Sequence, residues 1–121
     1  GAIAVALGSV NCGAFTNDQV FMDRVLVSAK AQGEKMWQMP MDDEYKEMLK
    51  SPYADMPNIS GGRYGGAITA AKFLEEWTEG TPWVHLDIAG VAWLDEGKPG
   101  LTKGPSGYGV RTLADLVSKW R

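Results

Sequence analysis

The segment that most restricts this chain is Trp83 to Ala89, a near-continuous run containing Val84, Leu86 and Ile88, entered from Pro82 and left at Gly90. Strands of that kind are usually covered on both faces, as in sheets with helices on either side. The other segments alternate in the same sense. Gly1 to Leu7 reads as a buried strand or strand–helix junction ended by Gly8-Ser9, and Cys12 to Phe15 as a second short strand. Thr16-Asn17-Asp18-Gln19 has the form of a capping box with Thr16 as cap. It opens a helix whose stripe is Phe21, Met22, Val25, Leu26 and Ala29, closed by Gly33.

Met36 to Pro40 reads as extended, because Pro40 bars a helix from passing through. Asp42 to Leu49 suggests a short helix with acids in its first turn, stopped at Ser51-Pro52. Tyr53 to Ser60 is a loop that Gly61 to Gly66 extends. The next helix carries Ala67, Ala70 and Ala71, with Leu74 and Trp77 on one side, and its small residues predict close packing on a sheet. Trp93 to Gly109 reads as a long loop, and Val110 to Trp120 as a helix presenting Leu113, Leu116, Val117 and Trp120. Strands alternating with helices make the class α/β.

Composition excludes more than it assigns. A chain of 121 residues is one domain or part of one, and 45% hydrophobic with 22% charged residues is ordinary for a globular protein. The apolar run Ala2 to Leu7 is far short of the ~20 residues a bilayer requires, and no secretory signal pattern is visible. Scattered lysines and arginines and a net charge of -3 argue against nucleic acid as partner. Lone Cys12 predicts a reduced, buried thiol in a cytoplasmic protein. The opening Gly1-Ala2-Ile3-Ala4-Val5-Ala6-Leu7 has the character of an interior segment, so the chain is expected to be cut from a longer one.

No self-sufficient active site can be read from the residues. One His and one Cys exclude a nitrogen- or sulfur-rich metal site. The acids cluster as Asp42-Asp43-Glu44 and Glu75-Glu76-Glu79, at a helix start and on an exposed helix face. His85 and Asp87 share a strand face and could be imagined as a catalytic pair, but a hydrogen-bonded structural histidine is the simpler reading. No serine or cysteine stands in an activated setting such as G-x-S-x-G. Gly61 to Gly66 and Gly104 to Gly109 precede helices without the lysine and Ser/Thr of a phosphate-binding loop.

Six segments in order carry a resemblance. Gly1-Ala2 through Ala6-Leu7-Gly8 is similar to an apolar run that comes directly after an A-T-L-T-G-A stretch. Glu34 to Pro40, with Tyr45 beyond, is similar to a segment where a Trp and a Met-Pro or Leu-Pro pair precede a short helix with a tyrosine. Lys50-Ser51 through Ala54-Asp55 and Asn58 resembles K-S-x-x-A-D-x-x-N. Gly65 through Ala70-Ala71 and Phe73-Leu74 resembles a small-residue helix, and Trp83 to Gly90 is close to W-x-H-L-D-I-A-G. Gly107 to Leu113 matches a glycine-then-R-T-L ending. Together they resemble the end of the leucyl aminopeptidase (cytosol aminopeptidase) family.

The resemblance implies a three-layer α/β fold, a mixed β-sheet flanked by helices, of which residues 1–121 are the C-terminal fragment of the catalytic domain. It implies a parent hydrolase, a metalloprotease that removes N-terminal residues from peptides, leucine preferentially, with two divalent metal ions (manganese or zinc). The family's ligands and its catalytic lysine and arginine precede the A-T-L-T-G-A segment. No catalytic or metal-binding residue is therefore assigned here, no metal is expected to bind, and the fragment is expected to be inactive alone. By motif position Gly1, Ala89 and Ala92 would line one wall of the pocket for the substrate's N-terminal side chain. Ala92 departs from members with methionine there, which leaves the pocket's size open, and sheet packing alone is the alternative account of these small residues. The parent would be cytoplasmic and a hexamer acting on peptide N-termini. The alternatives are a non-catalytic α/β binding module derived from an aminopeptidase and, more weakly, a structural interaction protein. The latter leans on five tryptophans that core packing would already explain.

Overall fold

A computed structural model describes residues 1–50 and 63–121. The loop expected over 53–60, the first two residues of the glycine stretch after it, and Ser51 and Pro52 lie outside the described residues.

The chain opens as helix α1, Ala2–Leu7, rather than as a strand. Its six residues are all apolar, but only Ile3 is buried. Gly8 ends it at φ 63, a left-handed turn that glycine adopts without steric cost. Strand β1, Cys12–Thr16, comes next and is buried throughout. Helix α2, Gln19–Gln32, is capped by Asp18 and not by Thr16: the Asp18 carboxylate accepts from Phe21 N at 2.7 Å. Thr16 serves the strand end instead, its hydroxyl donating to Trp83 O at 2.7 Å and accepting from Asp18 N at 2.9 Å. Gly33, at φ 70, closes α2 as its position predicts.

Strand β2, Met36–Gln38, runs parallel to β1, so α2 is the crossover of a β-α-β unit. Asp43–Leu49 is a 3₁₀ helix with Asp43 and Glu44 in its first turn. Helix α3, Gly66–Glu75, gives way to a 3₁₀ turn at Glu76–Thr78, and strand β3, Val84–Asp87, pairs antiparallel with β1. The sheet order β2-β1-β3 makes it mixed and puts β1 at its centre. The long loop expected over 93–109 contains a small hairpin, β4 Trp93–Leu94 with β5 Gly104–Pro105. Helix α4, Val110–Ser118, closes the chain against α2.

Two helical layers cover the sheet. Alternation sends Gly13 and Phe15 to one face, where Phe15 joins Ile3 of α1 and Ala67, Ile68 and Ala71 of α3 in a core cluster. Cys12, Ala14 and Thr16 point to the other face, toward α2, which buries Met22, Val25 and Ala29.

Three expectations about burial change. The strand covered on both faces is β1; β3 lies at the side of the sheet and all four of its residues are half-buried. On α3 the buried residues include Ala67, Ile68, Ala71 and Lys72, whereas Ala70, Leu74 and Trp77 are exposed, because the 3₁₀ turn rotates Trp77 off the helix face. On α4 the packed residues are Thr112 and Leu116, with Leu113 and Val117 exposed.

Candidate functional site

The three residues expected to line a substrate pocket are arranged around α1. Gly1 is the N-cap of that helix and is exposed. Ala89 and Ala92 sit on the turn after β3, where Val91 N and Ala92 N both donate to Ile88 O at 2.9 Å and Ala89 N to Asp87 Oδ1 at 3.1 Å. This turn abuts the far end of the helix: a Cβ on Gly90 would collide with Gly8 O and lie 3.5 Å from Ala4 Cα. The near end is close but less so, since a Cβ on Gly66 would stand 3.1 Å from Ala2 Cβ. Ala89 is exposed on that turn and Ala92 is half-buried. These three residues are small, and none of them brings a nucleophile or a base.

His85 and Asp87 do not form a pair. The His85 ring packs against Phe15 at 5.5 Å between centroids and stacks on Trp83 at 6.0 Å, so among the described residues it is held by aromatic contacts and not by the hydrogen bond expected of it. Burial lowers its pKa, and the Asp87 charge opposes that shift. Cys12 is a buried free thiol, pushed up to about 12 by burial first and by the Asp87 charge second, which makes it a poor nucleophile.

The carboxyl ends of the parallel strands are where open α/β sheets hold ligands. Here they carry a groove of about 520 Å³ lined by Thr16, Gln38, Asp43, Lys72 and Glu75 among others. Lys72, only 4% exposed, was not singled out from the sequence; its Nζ lies 3.1 Å from Glu75 and 3.5 Å from Asp43. The i,i+3 spacing of Lys72 and Glu75 is the sequence signal that could have found it. Gln19 and Gln38 bond each other, and Asn17 bonds Thr81 O and Trp83 N. Most polar side chains of the groove are thus already hydrogen-bonded or ion-paired, some to each other and some to the segment leading into β3.

Glu34 is the other residue that sequence reasoning passed over. Buried behind the start of α4, it accepts from Gly109 N, Thr112 N and Thr112 Oγ1, each at 2.7 Å. Burial would raise its pKa, but those hydrogen bonds, with the Arg111 charge, hold it below the usual glutamate value. Among the described residues no three His, Cys, Asp or Glu side chains gather where a metal ion could be held. No helix of the described residues is long and apolar enough to cross a membrane.

Comparison with known proteins supplies what geometry alone leaves open. The profile of the cytosol aminopeptidase family, catalytic domain, matches residues 1–114. A probable cytosol aminopeptidase of Solibacter usitatus is 62% identical over 121 residues, which is 100% of this chain and 25% of that protein. One from Koribacter versatilis is 57% identical over 120 residues, 99% of this chain and 23% of its own length. Among solved structures, a mutant of tomato leucine aminopeptidase superposes with a TM-score of 0.87 at 47% identity, covering 97% of this chain and 22% of that one. The chain spans about a quarter of the length of the curated relatives it matches.

Proposed function

Since the chain belongs to the cytosol aminopeptidase family, we propose that it is the C-terminal part of the catalytic domain of a leucyl aminopeptidase, a peptidase that hydrolyses N-terminal residues from peptides. The observation that carries this reading is the family match over residues 1–114.

The reading includes two divalent ions, manganese or zinc, in the complete enzyme, where such a pair activates water and stabilises the oxyanion. The described residues of this chain do not fit that group, because their His, Cys, Asp and Glu side chains do not converge. On this reading the 121 residues supply no metal ligand and are inactive alone. Their contribution is a wall. Gly1, Ala89 and Ala92 face the substrate's N-terminal side chain, and α1 sets their spacing by seating against Gly66 at one end and Gly90 at the other. The proposed assembly is a hexamer in the cytoplasm, with peptide N-termini as substrate.

The test is an aminopeptidase assay of the complete coding sequence on leucyl-p-nitroanilide, beside the 121-residue chain alone. The complete protein is expected to release leucine, to lose activity on chelation and to regain it with manganese or zinc, while the chain alone stays silent. A complete protein inert toward every aminoacyl substrate after metal reloading would remove the enzyme reading and favour a non-catalytic binding module. Tight manganese binding by the 121 residues alone would contradict the placement of the ligands elsewhere.

A further inference from the structure

A second cleft, of about 420 Å³, opens between the segment after α1, the α2–β2 junction and the β4–β5 hairpin. Its volume lies in the range of small-molecule sites. The floor is apolar, made by Val91, Leu94 and Leu101.

Three cations stand on its lining, Lys35, Lys98 and Arg111, and none of them makes an ion pair with a described residue. The acid on the lining does not offset them fully. Glu34 is turned toward the start of α4, where both of its oxygens accept hydrogen bonds. The neutral polar groups are engaged as well: the Tyr108 hydroxyl donates to Lys35 O at 2.6 Å and the Ser106 hydroxyl to Val91 O at 2.7 Å. What the cleft offers a ligand is therefore positive charge above an apolar floor.

We propose that this cleft binds a small carboxylate bearing a branched or aromatic apolar chain, its oxygens toward Lys98 and Arg111 and its chain against Val91, Leu94 and Leu101. A zwitterionic amino acid is disfavoured, because its ammonium group would meet three cations and a carboxylate whose oxygens are already taken. The site is independent of the peptidase reading, since it uses no residue of the proposed substrate wall.

The experiment is calorimetric titration and saturation-transfer NMR on the complete protein that carries this chain, with 4-methylpentanoate as probe. 4-Methylpentanamide is the neutral control. The acid is expected to bind at least about tenfold more tightly than the amide, a charge-assisted difference. Its affinity should fall as salt rises from about 0.05 M to about 1 M, where screening shortens to about 3 Å. Lys98→Gln should weaken it about three- to fivefold, the scale of one exposed charge pair. Leu101→Asp, which puts an anion over the floor, should abolish it. Both substitutions fall on exposed side chains, and the pairing at that point is between the backbones of Lys98 and Leu101, so folding is kept. Acid and amide binding alike overturns the proposal, and so does an acid affinity that neither substitution changes.

Discussion

Glu34 sits behind the first turn of α4 with three donors on its two oxygens, and those donors lie 75 and 78 residues along the chain. It satisfies amides that the start of a helix otherwise leaves open, from outside the helix. Hydrogen bonds to a charged group are worth about 1.5–3 kcal/mol each, so Glu34→Gln should cost at least about 2 kcal/mol, read as a lowered thermal midpoint at neutral pH. The pH dependence has a definite sign. The folded pKa lies below the ordinary 4.5, so the stabilisation is complete above that value and is lost as pH falls through it toward the folded pKa. The midpoint of the native chain should hold steady near neutrality and drop below about pH 4.5, and the drop should be shallower in Glu34→Gln. Nothing local marks Glu34 for this role in the sequence. The same holds for the choice between Thr16 and Asp18 as cap, since both are good capping residues. A contact with Trp83, 67 residues away, draws the threonine off.

At the scale of elements, α1 is the part whose neighbours constrain it most. A six-residue apolar run carries too few periods to tell a helix from a buried strand, which is why Ala2–Leu7 reads either way in the sequence. In the fold its C-terminal end lies on Gly90 so closely that an added Cβ would strike the Gly8 carbonyl. Backbone cannot yield as a flexible side-chain tip can. Gly90→Ala should therefore cost about 1–3 kcal/mol, the usual range for overpacking, seen as a lower urea midpoint. Gly1→Ala is the matched control, because a Cβ there meets nothing within 4 Å. The other elements obey local signals more closely. Gly33 ends α2 and Pro40 comes after β2 as their chemistry dictates. The face a helix buries is less predictable: α4 packs Thr112 and Leu116 on α2 and leaves Leu113 and Val117 in solvent.

Across the whole molecule, the apolar surface is unusually open. Trp37, Trp77, Trp93 and Trp120 are each more than half exposed and Val5 is 90% exposed, so core packing does not account for four of the five tryptophans. Two of those four have ring contacts: Arg24 at 3.6 Å and Phe21 at 5.6 Å on Trp120, and Phe73 at 6.1 Å on Trp77. Exposed apolar area of this kind favours association. The 121-residue chain is expected to self-associate as its concentration rises, measured by analytical ultracentrifugation. Val5→Lys together with Trp93→Ser should shift it toward monomer, and a chain that stays monomeric throughout would show that these residues tolerate water. Iodide should quench most of its tryptophan fluorescence.

The sequence by itself determined the α/β class, the helix end at Gly33, the break at Gly8 and the family, because those rest on residue order, local conformational preference and motif spacing. The tertiary structure alone decided which strand lies at the centre of the sheet, which face each helix buries, that Lys72 meets Asp43 and Glu75 in one groove, and that Glu34 and three cations line another. Burial and hydrogen bonding depend on residues far apart in the chain, and local preference holds no record of them.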